Sequence, residues 1–231
     1  MSTADKARGL SQNRLVFQNL RSQIVRGTLL PGAKLNIALL AEAIGVSAGA
    51  VREGLAMLEA EALVVSEPLK GYRVSPISAR DLTDLVNARI DIEKLCIAES
   101  IRQGDLVWEG GVVAAFHRLS RVGERDAADD QFLSGGWTDV HADFHRALVA
   151  GCRNTWLLRM HEMLYMQSER YRQLSVPVAH TPRDVGAEHQ ALVNAVLNRD
   201  VAAAQALVAS HMQRTATILL TAPGLPVDQA G

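Results

Sequence analysis

The sequence predicts a mainly α protein in two parts: an N-terminal winged helix-turn-helix and a larger C-terminal antiparallel all-α helical bundle. Three observations predict it. Between Leu20 and Val74 a helix-turn-helix pattern runs into two short strand-like segments. Hydrophobic residues make up 48% of the chain but aromatics only 4%, a mix that suits Ala/Leu/Val-packed helices rather than a β-sandwich. The 231 residues suffice for two compact units, each with its own core. The expected organisation is a mobile segment over 1–13, a head over 14–75, a helical body over 76–222 and a mobile tail over 223–231.

In the head, Leu15, Val16, Leu20, Ile24 and Val25 keep helical spacing from Arg14 to Gly27. Leu30-Pro31-Gly32 then makes a turn, since proline sets φ and glycine accepts positive φ. A second helix is expected over Ile37–Ile44, ending at Gly45, whose missing Cβ permits a sharp turn. Ser47 is placed to cap a third helix, Gly49 to about Ala60, by accepting a backbone N–H. Along that helix Val51, Leu55 and Leu58 form one buried stripe, while Arg52 and the small residues before it remain on the outer face. The N-terminal end of such a helix is what a recognition helix pushes into the major groove. Leu63–Ser66 and Tyr72–Val74 read as a hairpin that carries Lys70 and Gly71 near a phosphate or the minor groove.

Charge is consistent with DNA contact at one end. Residues 1–75 carry nine Lys/Arg against six Asp/Glu, and residues 76–231 carry fifteen against nineteen. No apolar run approaches the ~20 residues that span a bilayer, and no secretory leader is visible. Cys96 and Cys152 stand without a C-x-x-C, as expected of reduced thiols in a cytoplasmic protein.

The ordered run Ile24-Val25-Arg26-Gly27, Leu30-Pro31-Gly32, Gly45-Val46-Ser47, Val51-Arg52-Glu53, Leu55, Leu58-Glu59, Gly71 and Val74 resembles the GntR winged-helix regulators. The resemblance implies that Ser47, Arg52, Lys70 and Gly71 meet double-stranded DNA. The alternative for Arg52 is a surface charge paired with Glu53 or Glu59. Where that family commonly has Arg-Thr-Pro, this chain has Ala48-Gly49-Ala50, so readout must lean on Arg52 and backbone contacts. Gly54 replaces a usual alanine, at about 1 kcal/mol of helix propensity.

All seven histidines lie beyond residue 116. His141 and His145, four apart on a helix, share a face. His189 and His211 sit on two helices joined by Asn198-Arg199-Asp200, each around ten residues from the bend. Three or four imidazoles converging in a bundle would bind a borderline divalent ion such as zinc or nickel. Lone histidines on amphipathic helices otherwise pack or face solvent.

The body resembles the FCD ligand-binding domain of the FadR-type branch, through Asp81-Leu82, Ala88-Arg89, Ile92-Glu93, Asp143-Phe144-His145-Arg146-Ala147-Leu148, Asn154, Glu188-His189 and the segment from Arg199-Asp200 to His211. The resemblance implies a divalent metal, zinc with nickel or manganese as alternatives, held by His141, His145, His189 and His211. His141 stands where metal-containing members carry Asp. An imidazole brings no negative charge, so the ion would keep its double charge and attract an anion. Asp143 lies on another face. The charge of such an ion and of Arg89 points to a small carboxylate effector, with Tyr171 and Arg172 as further polar contacts; Tyr171 can as easily be core. The alternative for Arg89 is an i,i+4 surface pair with Glu93. Ala50-Val51-Arg52-Glu53, Glu67-Pro68 and Glu169-Arg170-Tyr171-Arg172 resemble a subgroup that includes glutarate-responsive carbon-starvation repressors, which points to a dicarboxylate. The resemblance also implies a homodimer on a palindromic operator, acting as a repressor.

Helices in the body are expected over roughly 79–103, 106–122, 137–151, 154–174, 182–198 and 200–221. Enzymatic motifs fail. His161-Glu162 begins like a zinc-protease helix, but Tyr165 occupies the second histidine's place. There is no phosphate-binding glycine loop and no G-x-S-x-G. A metal-free regulator with packed histidines and, further off, a zinc-dependent hydrolase are the rival readings.

Overall fold

The computed structural model describes residues 3–129, 133–175 and 183–222, with side chains in the first helix from residue 12 onward. The chain divides into two compact units, with the change at Ser78/Ala79. Residues 223–231, expected as a tail, lie outside the described residues.

The first unit contains α1 (Thr3–Val25), β1 (Lys34–Leu35), α2 (Ile37–Ile44), α3 (Ala48–Ala60), β2 (Val64–Glu67) and β3 (Gly71–Val74). α1 begins at Thr3 rather than near Arg14, so most of the segment expected to be mobile is helical. Residues 3–13 hold one glycine and no proline, while Ala4, Lys6, Ala7, Arg8, Leu10 and Gln12 are good helix formers. The strands pair antiparallel in the order β1-β3-β2. The two-residue β1 had no alternation to betray it in the sequence.

The core of this unit joins Val16, Leu20 and Ile24 of α1 to Val51, Leu55 and Leu58 of α3, with Leu63 and Val74 beneath the hairpin. Leu15 is half exposed. Gly45 adopts φ 75°, ψ 37° and closes α2 by donating its N–H to Ala41 and Glu42 carbonyls. Asn36 caps the start of α2 and Ser47 that of α3.

Gly54, costly on propensity alone, has a packing reason. A Cβ there would lie 2.6 Å from Val16 Cγ1 and 3.2 Å from the Asn13 carbonyl oxygen, so glycine lets α1 and α3 approach closely. Asn13 Nδ2 donates to Glu53 at 2.7 Å and Arg21 pairs with Glu61 at 2.9 Å, fastening the same two helices.

The second unit contains six helices among the described residues: α4 (Ala79–Gln103), α5 (Leu106–Leu119), α6 (Gly135–Val149), α7 (Thr155–Ser175), α8 (Val185–Leu197) and α9 (Val201–Thr221). Asp105, Ser134, Asp184 and Asp200 cap α5, α6, α8 and α9 with side-chain oxygens. α4 is central, packing on α7 and α9, while α5 packs on α6 and α8 on α9. Arg199, at φ 56°, turns the chain between α8 and α9 and donates to the Ile101 and Gly104 carbonyls. That anchor sets the height of the α8–α9 pair against α4.

Gly54→Ala is expected to destabilise the protein by about 1–3 kcal/mol, despite its better helix propensity, because the methyl group has no room against Val16. Urea unfolding followed by circular dichroism measures this; a gain in stability would refute the close-approach explanation.

Candidate functional site

On α3, Arg52 is exposed and makes no hydrogen bond or ion pair among the described residues. The two acids that could have paired with it are occupied. Glu53 accepts from Asn13, and Glu59 accepts from the Ser66 N–H at 3.2 Å and hydroxyl at 2.5 Å. Ser47 Oγ accepts the Ala50 N–H at 3.1 Å, leaving the amides of Ala48 and Gly49 at the open end of the helix. Lys70 and Gly71 lie at the exposed tip of the β2–β3 hairpin, with Gly71 at φ 88°.

In the second unit, α6 carries His141 and His145 on its buried face, and α8 and α9 bring His189 and His211 to them. All four side chains are buried, each with a ligand-capable atom within 4.8 Å of the others. His141 Nε2 lies 3.2 Å from His145 Nε2. The His189 and His211 ring centroids are 4.8 Å apart. His189 Nε2 is buried with no hydrogen-bond partner.

Outer partners meet two of the remaining ring nitrogens and a third faces a carboxylate. His141 Nδ1 faces the Tyr165 hydroxyl at 3.1 Å, and the ring stacks on Trp137 at 4.4 Å. His211 Nδ1 lies 2.8 Å from Glu188 Oε2, and Glu188 is also gripped by Arg183 and Arg214. Behind His145 stands Glu93, whose Oε1 is 3.7 Å from His145 Nδ1 and whose Oε2 is 3.0 Å from His161 Nε2.

Burial dominates the electrostatics. It pushes His141 well below the usual imidazole value, and Arg172 and the neighbouring histidines push the same way. It lowers His145 against the opposing pull of Glu93. His189 is lowered strongly by burial and by His211, and His211 falls to about 4 despite Glu188. Burial opposes the charge on Glu93, yet His161, His145 and Arg89 hold its carboxyl well below the ordinary range. Glu188 is likewise lowered, its burial outweighed by Arg183, His211 and Arg214. The site therefore offers four neutral imidazoles in a dry setting, the protonation state that metal coordination needs. The donor set and the unpartnered His189 nitrogen fit a nitrogen-loving divalent ion. The expected unopposed double charge is modified, because Glu93 and Glu188 stand behind two of the four rings.

A cavity of about 30 Å³ opens beside the cluster, lined by His141, His211, Arg89, Ser168, Tyr171 and Arg172 among others. All three residues expected at an effector thus come together. Arg89 is buried rather than paired on the surface with Glu93. It donates to Ser168 and lies 4.7 Å over the Tyr165 ring. Arg172 is tied to Glu169 and stacks 4.9 Å from Trp137. Arg89 Nε and Arg172 Nη1 are buried and lack partners. Tyr171 donates to Asp81 in the first turn of α4. Asp143 points away and pairs with Arg146 at 2.5 Å.

Sequence reasoning missed Glu93, Glu188, Tyr165 and Trp137 as partners of the cluster, and considered His161 only for a protease motif. Glu188 could have been suspected from its place beside His189. Nothing local marks Glu93 or Tyr165, which reach the site only through packing of α4 and α7 on α6.

A winged helix-turn-helix joined to an all-helical domain with a buried polar chamber defines a DNA-binding transcriptional regulator with a second, all-helical domain. The comparisons agree. Residues 12–74 match the bacterial regulatory proteins of the gntR family and residues 84–214 match the FCD domain. The chain belongs to the GntR family, in the branch that carries an FCD domain. It is 37% identical over 203 residues to the uncharacterized HTH-type transcriptional regulator BphR of Paraburkholderia xenovorans (strain LB400), covering 88% of this chain and 83% of that one. It is 36% identical over 203 residues to the HTH-type transcriptional repressor GlaR of Escherichia coli (strain K12), covering 85% and 90%. The fold matches the crystal structure of a putative GntR transcriptional regulator from Rhodococcus sp. RHA1, with a TM-score of 0.71 at 24% identity over 90% of this chain and 98% of that one. It also matches E. coli McbR/YncC, with a TM-score of 0.72 at 21% identity over 90% and 96%. The family and these relatives are regulators of transcription, which sets the hydrolase reading aside. No helix among the described residues is long and apolar enough to cross a membrane.

The metal-free protein is expected to lose stability as pH falls below the ordinary imidazole range. The folded histidines sit below their unfolded value of 6.5. Between the two values the unfolded chain binds more protons, so stability rises with pH. The lowered carboxylates Glu93 and Glu188 push the same way at still lower pH, where protonating them removes their contribution. Melting chelator-treated protein between about pH 7.5 and about pH 5 reads this directly; a constant midpoint would mean the four rings are not held neutral.

Proposed function

We propose that the protein is a ligand-responsive repressor in which a small carboxylate, bound beside a metal ion in the FCD domain, controls operator affinity. The observation that carries this reading is the shared chamber. Arg89 and Arg172, each with a buried guanidinium nitrogen that lacks a partner, line the same cavity as His141 and His211. An anion there would be drawn by both guanidinium groups and would complete an ion's coordination sphere. His141, His145, His189 and His211 would hold the ion, zinc by preference with nickel or manganese as alternatives. It would supply a fixed positive charge for the carboxylate.

The head over 14–75 reads double-stranded DNA. Arg52 approaches base edges in the major groove, the open amides beside Ser47 donate to a phosphate, and Lys70 and Gly71 follow the backbone at the wing. A homodimer presents two such heads to a palindromic operator in the cytoplasm. The name of the similar E. coli repressor supports repression as the sign of control.

The cavity of about 30 Å³ holds one or two waters, so a carboxylate effector enters by displacing side chains. Arg172 must exchange Glu169 for the ligand, and Leu82 and Val86 of α4 line the same space. Tyr171 connects that space to Asp81, three residues beyond the Ser78/Ala79 boundary. Effector binding therefore alters the start of α4, and its preference for one arrangement of the dimer changes operator affinity. Coupling of this kind is typically worth about 1–3 kcal/mol.

Arg52→Ala should weaken specific operator binding by about 1–3 kcal/mol with the melting temperature unchanged. A gel-shift titration decides it; an unaltered affinity removes Arg52 from the interface. His189→Ala and His211→Ala should each abolish co-purifying metal in tag-free protein, read by elemental analysis. Metal content equal to the parent's would retire the centre, and a parent without metal would leave the histidines as packed neutral side chains.

A further inference from the structure

Buried polar atoms without hydrogen-bond partners are not scattered through this unit. Five of the eight belong to one network: Glu93 Oε1 and Oε2, His145 Nδ1, His161 Nε2 and Arg89 Nε. Glu93 is fully buried and His161 nearly so. They belong to α4 and α7; Glu93 faces His145 of α6, and His161 faces Glu93. Native proteins rarely leave such groups unsatisfied, and each one calls for a reason. A carboxylate enclosed without a single well-formed hydrogen bond is an arrangement awaiting a state in which those bonds close.

We propose that Glu93, seated by His161, is the positioning carboxylate that orients His145 toward the ion. The inference rests on the metal reading above. His145 Nε2 points at the cluster, 3.2 Å from His141 Nε2. Coordination through that nitrogen requires the ring proton on Nδ1, which faces Glu93 Oε1 at 3.7 Å. A shift of about 0.7 Å brings this contact to ordinary hydrogen-bond length. Metal-bound histidines generally donate their other N–H in this way, which holds the ring's tautomer and orientation. His211 already has such a partner in Glu188 at 2.8 Å, and His141 in Tyr165 at 3.1 Å. Glu93 supplies the third.

His161 has a part of its own. Its Nε2 lies 3.0 Å from Glu93 Oε2, beside the oxygen that His145 does not use, and a hydrogen bond closed there would hold the carboxylate toward His145. A mere interior ion pair between Glu93 and His161 would matter to the fold and not to the ion.

The experiment titrates metal-free full-length protein with Zn2+ against a chromophoric chelator, and with Co2+, whose visible spectrum reports coordination geometry. Glu93→Gln should lose about 10–100-fold in Zn2+ affinity and alter the Co2+ spectrum. His161→Gln should move both in the same direction by less. A purely structural ion pair would instead lower the melting point of the metal-free protein and leave the affinity of its folded form untouched. Parental Zn2+ affinity with a parental Co2+ spectrum in Glu93→Gln overturns the proposal. Should that variant not fold, parental values in His161→Gln overturn it. A parent that takes up neither metal overturns the metal reading itself, a result visible before any variant is compared.

Discussion

Four imidazoles buried side by side must stay uncharged, and much of the second unit is arranged around that requirement. A neutral imidazole has one donor and one acceptor nitrogen, so each ring needs an outer partner for one and an inward use for the other. Tyr165, Glu93 and Glu188 provide or approach the outer contacts, and the inward nitrogens face each other. The backbone supports this at a distance. The α6 spacing of four residues brings His141 and His145 to one face, and the Arg199 turn, anchored on the Ile101 and Gly104 carbonyls, levels His189 with His211.

Around the rings, charges are interleaved rather than segregated. Glu93, Glu169 and Glu188 alternate with Arg89, Arg172 and Arg183, nearly all in poorly hydrated surroundings. Such an interior tolerates ions because each has an opposite neighbour. Under the proposed reading, an incoming carboxylate would compete with Glu169 for Arg172 and add to the Ser168 contact of Arg89. The energy available for signalling would then be the difference between internal and external partners.

The head follows the opposite rule, since Arg52, the residue proposed to enter the groove, is one the fold leaves unused. Arg52 is free because Glu53 turns to Asn13 and Glu59 to Ser66. The small side chains of Ala48 and Gly49 keep the end of α3 slender, and Gly54 lets α1 support it from behind without a gap. A rigid, closely backed helix presenting one long cation suits a groove better than a flexible surface would.

By itself the sequence determined most of the secondary structure and which four histidines come together. Helix spacing, Gly45, the Ser47 cap and the Asp and Ser caps of the body are local signals, and local geometry honours them within a few residues. Periodicity likewise put His141 with His145 and the turn at Arg199 put His189 near His211. The extension of α1 to Thr3 escaped because a polar, helix-prone segment has no apolar stripe to announce it. Only tertiary packing decided the rest: that Arg89 is interior and separated from Glu93, that Glu93 meets His145 and His161, and that Tyr165 backs His141. Those contacts join α4 and α7 to α6, tens of residues apart in the chain. Spacing along one helix says which side chains share a face, but not which neighbour that face will meet.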